Sequence, residues 1–496
     1  MSSPLRVLFA TSEIAPWQKT GGLGDISSAL PVALHQASLD LRILVPAYPA
    51  LRDAFPQASL LAELPSPGAT FPTSRLWQAS RKDGPPLWLL ECDGLYQRHG
   101  GPYHGPDGND WPDNHLRFGL LSRLAAWLSS SASCVDWRPD LLHCNDWQTG
   151  LGPAYVHYLH GGGTPTVMTI HNLAFQGLFP PQRLGELGLP THAFVPDGVE
   201  FYGHLSFLKA GLQFARQITT VSPSYAREIQ QPELGFGLDG LLAWRSADLC
   251  GILNGVDSAW NPATDPHLTR HYDFRRLAGK AENRRALQAE LGLDCTAGTP
   301  LLAIVSRLTH QKGMDLVLAI ADQFLEDGAD QRVQLAVLGH GEPRFEAGFR
   351  SLAARFPGRV AALIDFSERL AHRIEAAADI FLMPSRFEPC GLNQLYSLRY
   401  GTPPVVHATG GLADTVIDCN AQNLANGSAN GFSFATADAA SLAAALSRAI
   451  DAWHNEKLWR RLQRTGMSAD YSWAKAAASY IAVYQRALGR HPNLDA

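Results

Sequence analysis

The chain lacks the marks of several protein classes. Its seven cysteines (Cys92, Cys134, Cys144, Cys250, Cys295, Cys390 and Cys419) are odd in number, scattered, and never spaced C-x-x-C. Neither a disulfide framework nor a structural zinc site follows from them. No H-E-x-x-H, EF-hand loop or other metal spacing occurs, so neither a metal nor a cofactor is expected. No apolar run approaches the roughly 20 residues of a membrane span. The opening Met1-Ser2-Ser3-Pro4-Leu5-Arg6 carries one charge and runs at once into Val7-Leu8-Phe9-Ala10. That apolar stretch is too short for a signal peptide and suits a buried first strand, so a cytoplasmic location is expected. A basic block is also missing, and the net charge is −5. Nucleic acid and anionic membrane are thereby disfavoured as partners.

What is present is ordinary globular composition, 46% hydrophobic and 18% charged over 496 residues, enough for at least two domains. Short apolar runs bounded by turn residues recur at spacings that leave room for helices. In the first half Leu5–Ser12, Leu41–Ala47, Pro86–Cys92, Asp140–Asn145, Thr166–His171 and Gln217–Ser222 read as strands. In the second half Pro300–Ser306, Val333–Gly339, Val360–Asp365, Asp379–Pro384 and Pro404–Ala408 do the same, with helical patterns such as Asp315–Phe324 and Ala439–Trp453 between them. Near-continuous hydrophobicity suits parallel strands covered on both faces. Alternating β and α elements predict an α/β fold of doubly wound parallel sheets. The string T-G-G-L-x-D occurs twice, at Thr20–Asp25 and Thr409–Asp414, as two related Rossmann-like halves facing a central cleft would explain. The turn-rich segment Gly251–Pro266 is the expected hinge.

Five motifs fall just after strands, where ligands bind in such sheets. Lys19-Thr20-Gly21-Gly22-Leu23-Gly24-Asp25 can cradle an anion at a helix start, or be a tight turn with a solvated lysine. Its spacing matches neither a Walker loop nor a dinucleotide fingerprint. Ser306-Arg307-Leu308-Thr309-His310-Gln311-Lys312-Gly313 offers a guanidinium fork and a point charge to one pyrophosphate, against the alternative of an ordinary surface loop. Arg386-Phe387-Glu388-Pro389-Cys390-Gly391-Leu392-Asn393-Gln394 is a sharp turn into a helix; Cys390 reads as a packing residue. His171-Asn172-Leu173-Ala174-Phe175-Gln176-Gly177 and His143-Cys144-Asn145-Asp146-Trp147 complete the set. Asp146 either orients sugar hydroxyls or caps the next helix.

Together and in this order the motifs resemble the glycogen and starch synthases that use ADP-glucose. The similarity runs from Val7-Leu8-Phe9-Ala10-Thr11-Ser12-Glu13 to Tyr471-Ser472-Trp473 and includes Phe207-Leu208-Lys209-Ala210-Gly211, Gly235-Phe236-Gly237-Leu238-Asp239-Gly240 and Ile252-Leu253-Asn254-Gly255-Val256-Asp257. The resemblance implies the two-Rossmann glycosyltransferase fold. Residues 1–255 then form the acceptor-side domain with the Lys19 loop. Residues 256–496 form the nucleotide-sugar domain, whose last helix, about 473–488, crosses back. The implied reaction is transfer of glucose from ADP-glucose to the end of an α-1,4-glucan, such as glycogen, with retention at the anomeric carbon. ADP-glucose is a substrate, and no cofactor is implied.

Carried over by position, Lys19, Gly22 and Asp25 resemble the donor loop of the first domain, and Arg307 and Lys312 the pair on the donor phosphates. Glu388, Cys390, Gly391, Leu392 and Asn393 resemble the turn beside the transferred glucose. His171 resembles the residue at the anomeric carbon. Asn254 lies among the donor residues, and Tyr96, Asp146 and Asn172 among those for acceptor or sugar. The chain departs from many relatives at Phe366, where they carry a tyrosine that can stack on adenine, and at Asn393, where they carry threonine. Broader retaining transferases often have a second glutamate eight residues after the first; here that position is Tyr396.

Overall fold

The apolar runs of the first half become strands of one sheet because both of its faces are covered. The computed structural model describes residues 4–64, 70–295, 298–326 and 331–489. Contacts divide the chain into two units, Met1–Gly255 with Ser472–Ala496, and Val256–Tyr471. Strands of the first unit are β1 (Arg6–Ala10), β2 (Asp40–Pro46), β3 (Ser59–Leu64), β4 (Ser74–Ala79), β5 (Leu87–Glu91), β6 (Leu141–Asn145), β7 (Thr166–Ile170), β8 (Leu178–Phe179), β9 (Glu200–Phe201), β10 (His204–Ser206), β11 (Gln217–Thr220) and β12 (Leu249–Gly251). Nine of them form a sheet in the order β12-β11-β7-β6-β1-β2-β5-β4-β3. It is parallel from β12 to β5.

Two features depart from the all-parallel expectation. The edge is an antiparallel pair, β4 on β5 and β3 on β4. β3 is exposed at half its positions, so its sequence carries no continuous apolar run. The small β8-β10-β9 sheet uses strands of two or three residues, too short to leave a periodic signal. The last helix, Trp473–Ala487, belongs with this first unit. It lies along the helix Gly22–Gln36 and buries Tyr480 and Tyr484 completely. Burial of each such aromatic stabilises by roughly 1.5–3 kcal/mol.

The second unit holds β13 (Leu301–Val305), β14 (Gln334–Leu338), β15 (Val360–Leu363), β16 (Ile380–Met383), β17 (Pro404–His407) and β18 (Phe432–Phe434), ordered β15-β14-β13-β16-β17-β18 and parallel throughout. Successive side chains of a strand point to opposite faces. Leu302 and Ile304 accordingly join one core with Phe324 and Phe349, while Leu301 and Ala303 join another with Leu370 and Ile374. This double covering explains the unbroken apolar runs.

The segment expected to be a hinge is in part firmly held. Trp260 is sandwiched between Tyr396 (ring centroids 3.9 Å, 1° between planes) and His372 (3.7 Å, 15°). Asp265, 1% exposed, accepts from the Tyr400 hydroxyl at 2.6 Å and pairs with His372 Nδ1 at 2.7 Å. Residues 256–266 are therefore part of the second unit, and the division falls just before them.

Candidate active site

Each sheet reverses its strand order at one place, and the reversal opens a crevice beyond the strand ends. In the first unit it lies between β1 and β6. The loop after β1 carries Lys19; the end of β6 carries Asn145 and Asp146; neighbouring β7 delivers His171.

Glu13 organises the Lys19 loop from beneath. This carboxylate, 2% exposed, accepts from the Thr20 amide and hydroxyl at 2.6 and 2.7 Å and from the Tyr103 hydroxyl. A Cβ added to Gly21 or Gly22 meets no protein atom within 4 Å. Protein packing is thus not what keeps these positions bare. Lys19 pairs with Asp25 at 2.7 Å, both about one-third exposed. Such a pair is worth at most about 1 kcal/mol, so a phosphate can displace the carboxylate.

Asp146 has φ 59° and ψ −178°, a region nearly reserved for glycine that costs on the order of 1–3 kcal/mol. The turn breaks strand alternation and lets two consecutive side chains reach one residue. Asn145 Oδ1 lies 3.0 Å from His171 Nε2, and Asp146 Oδ1 accepts from the His171 amide at 3.3 Å. Burial pushes the Asp146 carboxyl up to about 7 and the His171 imidazole down to about 3, so the imidazole is neutral at physiological pH. Its Nδ1 is buried without a hydrogen-bond partner among the described residues. The side chain of Asn172 closes a local turn by accepting from the Ala174 amide at 3.1 Å. Asn254 is buried, and its Oδ1 also lacks a partner among the described residues.

One residue of the expected acceptor set is displaced. Tyr96 is 1% exposed, and its hydroxyl donates to the Arg117 carbonyl at 2.5 Å. It is a core residue with no face for a sugar; an aromatic at a strand end reads the same either way in sequence.

The raised Asp146 pKa has a sign that can be tested. The unfolded carboxyl ionises near pH 4 and the folded one near 7. Folding stability therefore falls between these values and is flat above, a loss on the order of 4 kcal/mol. Asp146→Asn carries no such loss. Calorimetry should find its melting temperature raised relative to wild type by several degrees at pH 8 and much less at pH 4. An equal difference at both pH values refutes the burial account.

In the second unit the order reverses between β13 and β16, and the two predicted loops flank that point. Gly313 joins them: its φ is 72°, and a Cβ there would sit 2.2 Å from the Pro384 carbonyl oxygen. Arg386, not anticipated as a site residue, clamps the same junction. Its guanidinium holds Asp315 through two bonds of 2.8 and 2.7 Å and the His310 carbonyl at 2.9 Å. Lys312 Nζ then meets Glu388 Oε2 at 2.5 Å, which also accepts from the Ser385 hydroxyl at 3.0 Å. Arg307 is exposed, and its guanidinium has no ion pair or hydrogen bond among the described residues.

The second T-G-G-L-x-D copy supports this site from behind. A Cβ at Gly410 would lie 2.0 Å from the Glu388 carbonyl oxygen, and the Gly411 amide donates to that oxygen at 3.1 Å. Cys390 is buried as a packing residue, beside Gly391 and Leu392 at the start of the helix Asn393–Arg399. Asn393 donates its side-chain amide to the Val305 carbonyl, which ties that helix to β13. Phe366, beyond β15, is 71% exposed, an open aromatic face. The residues missed in sequence, Glu13, Asn145 and Arg386, share a readable signal: each is polar and sits at or just beyond the end of an apolar strand.

Among the described residues no group of three or more His, Cys, Asp or Glu is arranged to hold a metal ion, and no helix is long and apolar enough to cross a membrane. Residues 6–244 match the family described as the starch synthase catalytic domain, and residues 295–466 match glycosyl transferases group 1. The chain is 56% identical to the glycogen synthase of Dechloromonas aromatica (strain RCB) over 98% of its length and 99% of that protein's. It is 52% identical to the glycogen synthase of Nitrosomonas europaea, covering 98% of each. Among solved structures it matches the catalytic domain of starch synthase IV from Arabidopsis thaliana bound to ADP and acarbose, at 32% identity and TM-score 0.86, covering 99% of this chain and 100% of that one. Two Rossmann-like units with strand-end sites define the class of two-domain α/β glycosyltransferases. Within that class, the chain belongs to the glycogen and starch synthase family.

Proposed function

We propose that this chain transfers glucose from ADP-glucose to the non-reducing end of an α-1,4-glucan such as glycogen, with retention at the anomeric carbon, in the cytoplasm. The observation that carries the reading is the pair of loops at the second sheet's reversal point: one carries the exposed Arg307 and holds Lys312, which meets Glu388 of the other at 2.5 Å. It offers fixed positive charge and a carboxylate at the place where a nucleotide sugar binds in such sheets. Asn254, in the first unit, is read as a further donor contact.

The difficult step is departure of ADP from a carbon that becomes cationic. Fixed cations aimed at the leaving group lower that barrier most. Arg307 and Lys312 supply them, with Lys19 joining once phosphate displaces Asp25. The bond from the anomeric carbon to the phosphate oxygen breaks, and the glucan hydroxyl oxygen bonds to that carbon on the same face. Its proton passes to the departing phosphate. The His171 carbonyl faces the developing cation, Asp146 and Asn172 hold sugar hydroxyls, and Phe366 stacks on the adenine. Lysine, arginine and backbone dipoles supply the charge this scheme needs, so it invokes no cofactor, and neither nucleic acid nor membrane has a role.

The test is nucleotide release by the purified protein with glycogen and each donor in turn. ADP-glucose should support turnover, with UDP-glucose far slower. Preference for UDP-glucose overturns the donor assignment, and no release with either donor overturns the reading.

A further inference from the structure

One indole ring separates two helices of the second unit. Trp260 stacks on His372 with ring centroids 3.7 Å apart and on Tyr396 at 3.9 Å, nearly parallel to both. His372 belongs to the helix Glu368–Ala377 and Tyr396 to the helix Asn393–Arg399. Two further groups fasten the same pair. The Asp265 Oδ2 that meets His372 Nδ1 at 2.7 Å also accepts from the Tyr400 hydroxyl at 2.6 Å, and Tyr400 closes the second helix. Buried Lys280 donates to the Glu375 and Ala376 carbonyls at the end of the first helix, at 3.2 and 3.1 Å, and to the Tyr400 carbonyl at the end of the second, at 3.1 Å. An ammonium is favourable at a helix C-terminus, and here one ammonium serves two.

Both helices begin at residues read above as donor contacts. Exposed Phe366 stands just before Ser367, the N-cap of the first, and the turn 388–392 runs into the second. The strands that precede these segments, β15 and β16, lie three places apart in the sheet. We infer that Trp260 is a positioning residue: its ring is the spacer that holds the Phe366 segment at the distance from the Glu388 turn that one nucleotide sugar spans. The inference rests on the reading that ADP-glucose binds here with its adenine on Phe366. A flat, rigid ring gripped on both faces fixes a separation that a flexible side chain does not. Asp265 and Lys280 keep the far ends of the two helices together, so the spacer sets their spacing without letting them part. Tyr396 thereby has a part of its own: the place eight residues after Glu388 holds one face of the sandwich in place of a second carboxylate.

Steady-state kinetics on full-length variants, with glycogen and ADP-glucose, test it. Trp260→Leu keeps apolar bulk but offers no flat face. It should raise KM for ADP-glucose about tenfold, the size of a lost base–aromatic stack, with kcat within about twofold of wild type. Trp260→Phe, which keeps a flat ring, should stay within about threefold of the wild-type KM. The effect should run through Phe366. Phe366→Ala alone should raise KM by a similar factor, and Trp260→Leu should then add little to it, because coupled residues are not additive. A ring that merely filled space would lower the melting temperature and leave the KM of the folded enzyme where it was. Should Trp260→Leu fail to fold, Tyr396→Leu removes one face of the sandwich, keeps the indole, and takes its place with the same expectations. An unchanged KM, or fully additive losses in the double variant with Phe366→Ala, overturns the inference and leaves the functional reading standing. Absence of any turnover of ADP-glucose by wild type overturns the functional reading, and the inference with it.

Discussion

Replacing Arg307 and Lys312 together by alanine is expected to lower kcat/KM for ADP-glucose by about a thousandfold, and by clearly less than the product of the two single losses. On the proposed reading both cations act on one leaving group, and residues that share a partner couple. The two single variants should part company in stability. Arg307 is exposed and unpaired among the described residues, so Arg307→Ala should lose activity at unchanged melting temperature. Lys312 is the cation on the buried Glu388 carboxylate. Removing it leaves a poorly solvated charge, which destabilises, so Lys312→Ala should melt several degrees lower. Steady-state kinetics and calorimetry on the three variants decide the matter. Fully additive losses, or an Arg307→Ala enzyme with normal kcat/KM, would refute a shared pyrophosphate.

The second large effect concerns Glu388. Retention invites comparison with glycosidases, in which one carboxylate attacks carbon and a second transfers the proton. The geometry here favours another role. Oε2 of Glu388 is already engaged by Lys312 and Ser385. Eight residues on stands Tyr396, its ring stacked on Trp260 at 3.9 Å. A pyrophosphate leaves without needing an acid. On the proposed reading Glu388 acts by holding Lys312 in line and by its charge near the forming cation. Glu388→Gln should reduce kcat by about a hundredfold or more, with no covalent sugar on the protein in either form. Mass spectrometry of enzyme quenched during turnover with a fluorinated donor is the measurement. A glucosyl adduct on Glu388 restores double displacement and removes the positioning role.

The parallel strands were legible because each is covered on both faces, which leaves an unbroken apolar run in the chain: Leu301–Val305 and Thr166–Ile170 are examples. The edge pair β3–β4 was not legible, since half-exposed strands mix polar and apolar residues without a clean period. Site residues followed the same division. Lys19, Arg307, Lys312, Glu388 and His171 stand in the segments that follow buried strands, and their types suit an anionic sugar nucleotide. Tyr96 shows the limit of that argument, because position after a strand does not say which way a ring turns.

From sequence alone came the fold class, the strand-end loops and the chemical types they carry, because hydrophobic period and turn residues are properties of neighbours along the chain. Tertiary structure alone decided which of those residues meet. Arg386 closing on Asp315, 71 residues away, Lys312 reaching Glu388 across 76, and Asn145 meeting His171 from the end of the neighbouring strand all depend on strand order. Strand order follows from how helices cover a sheet, not from any local pattern. The strained turn at Asp146 belongs to the same category: nothing in the residues around it announces a left-handed aspartate, and only the packed sheet holds it there.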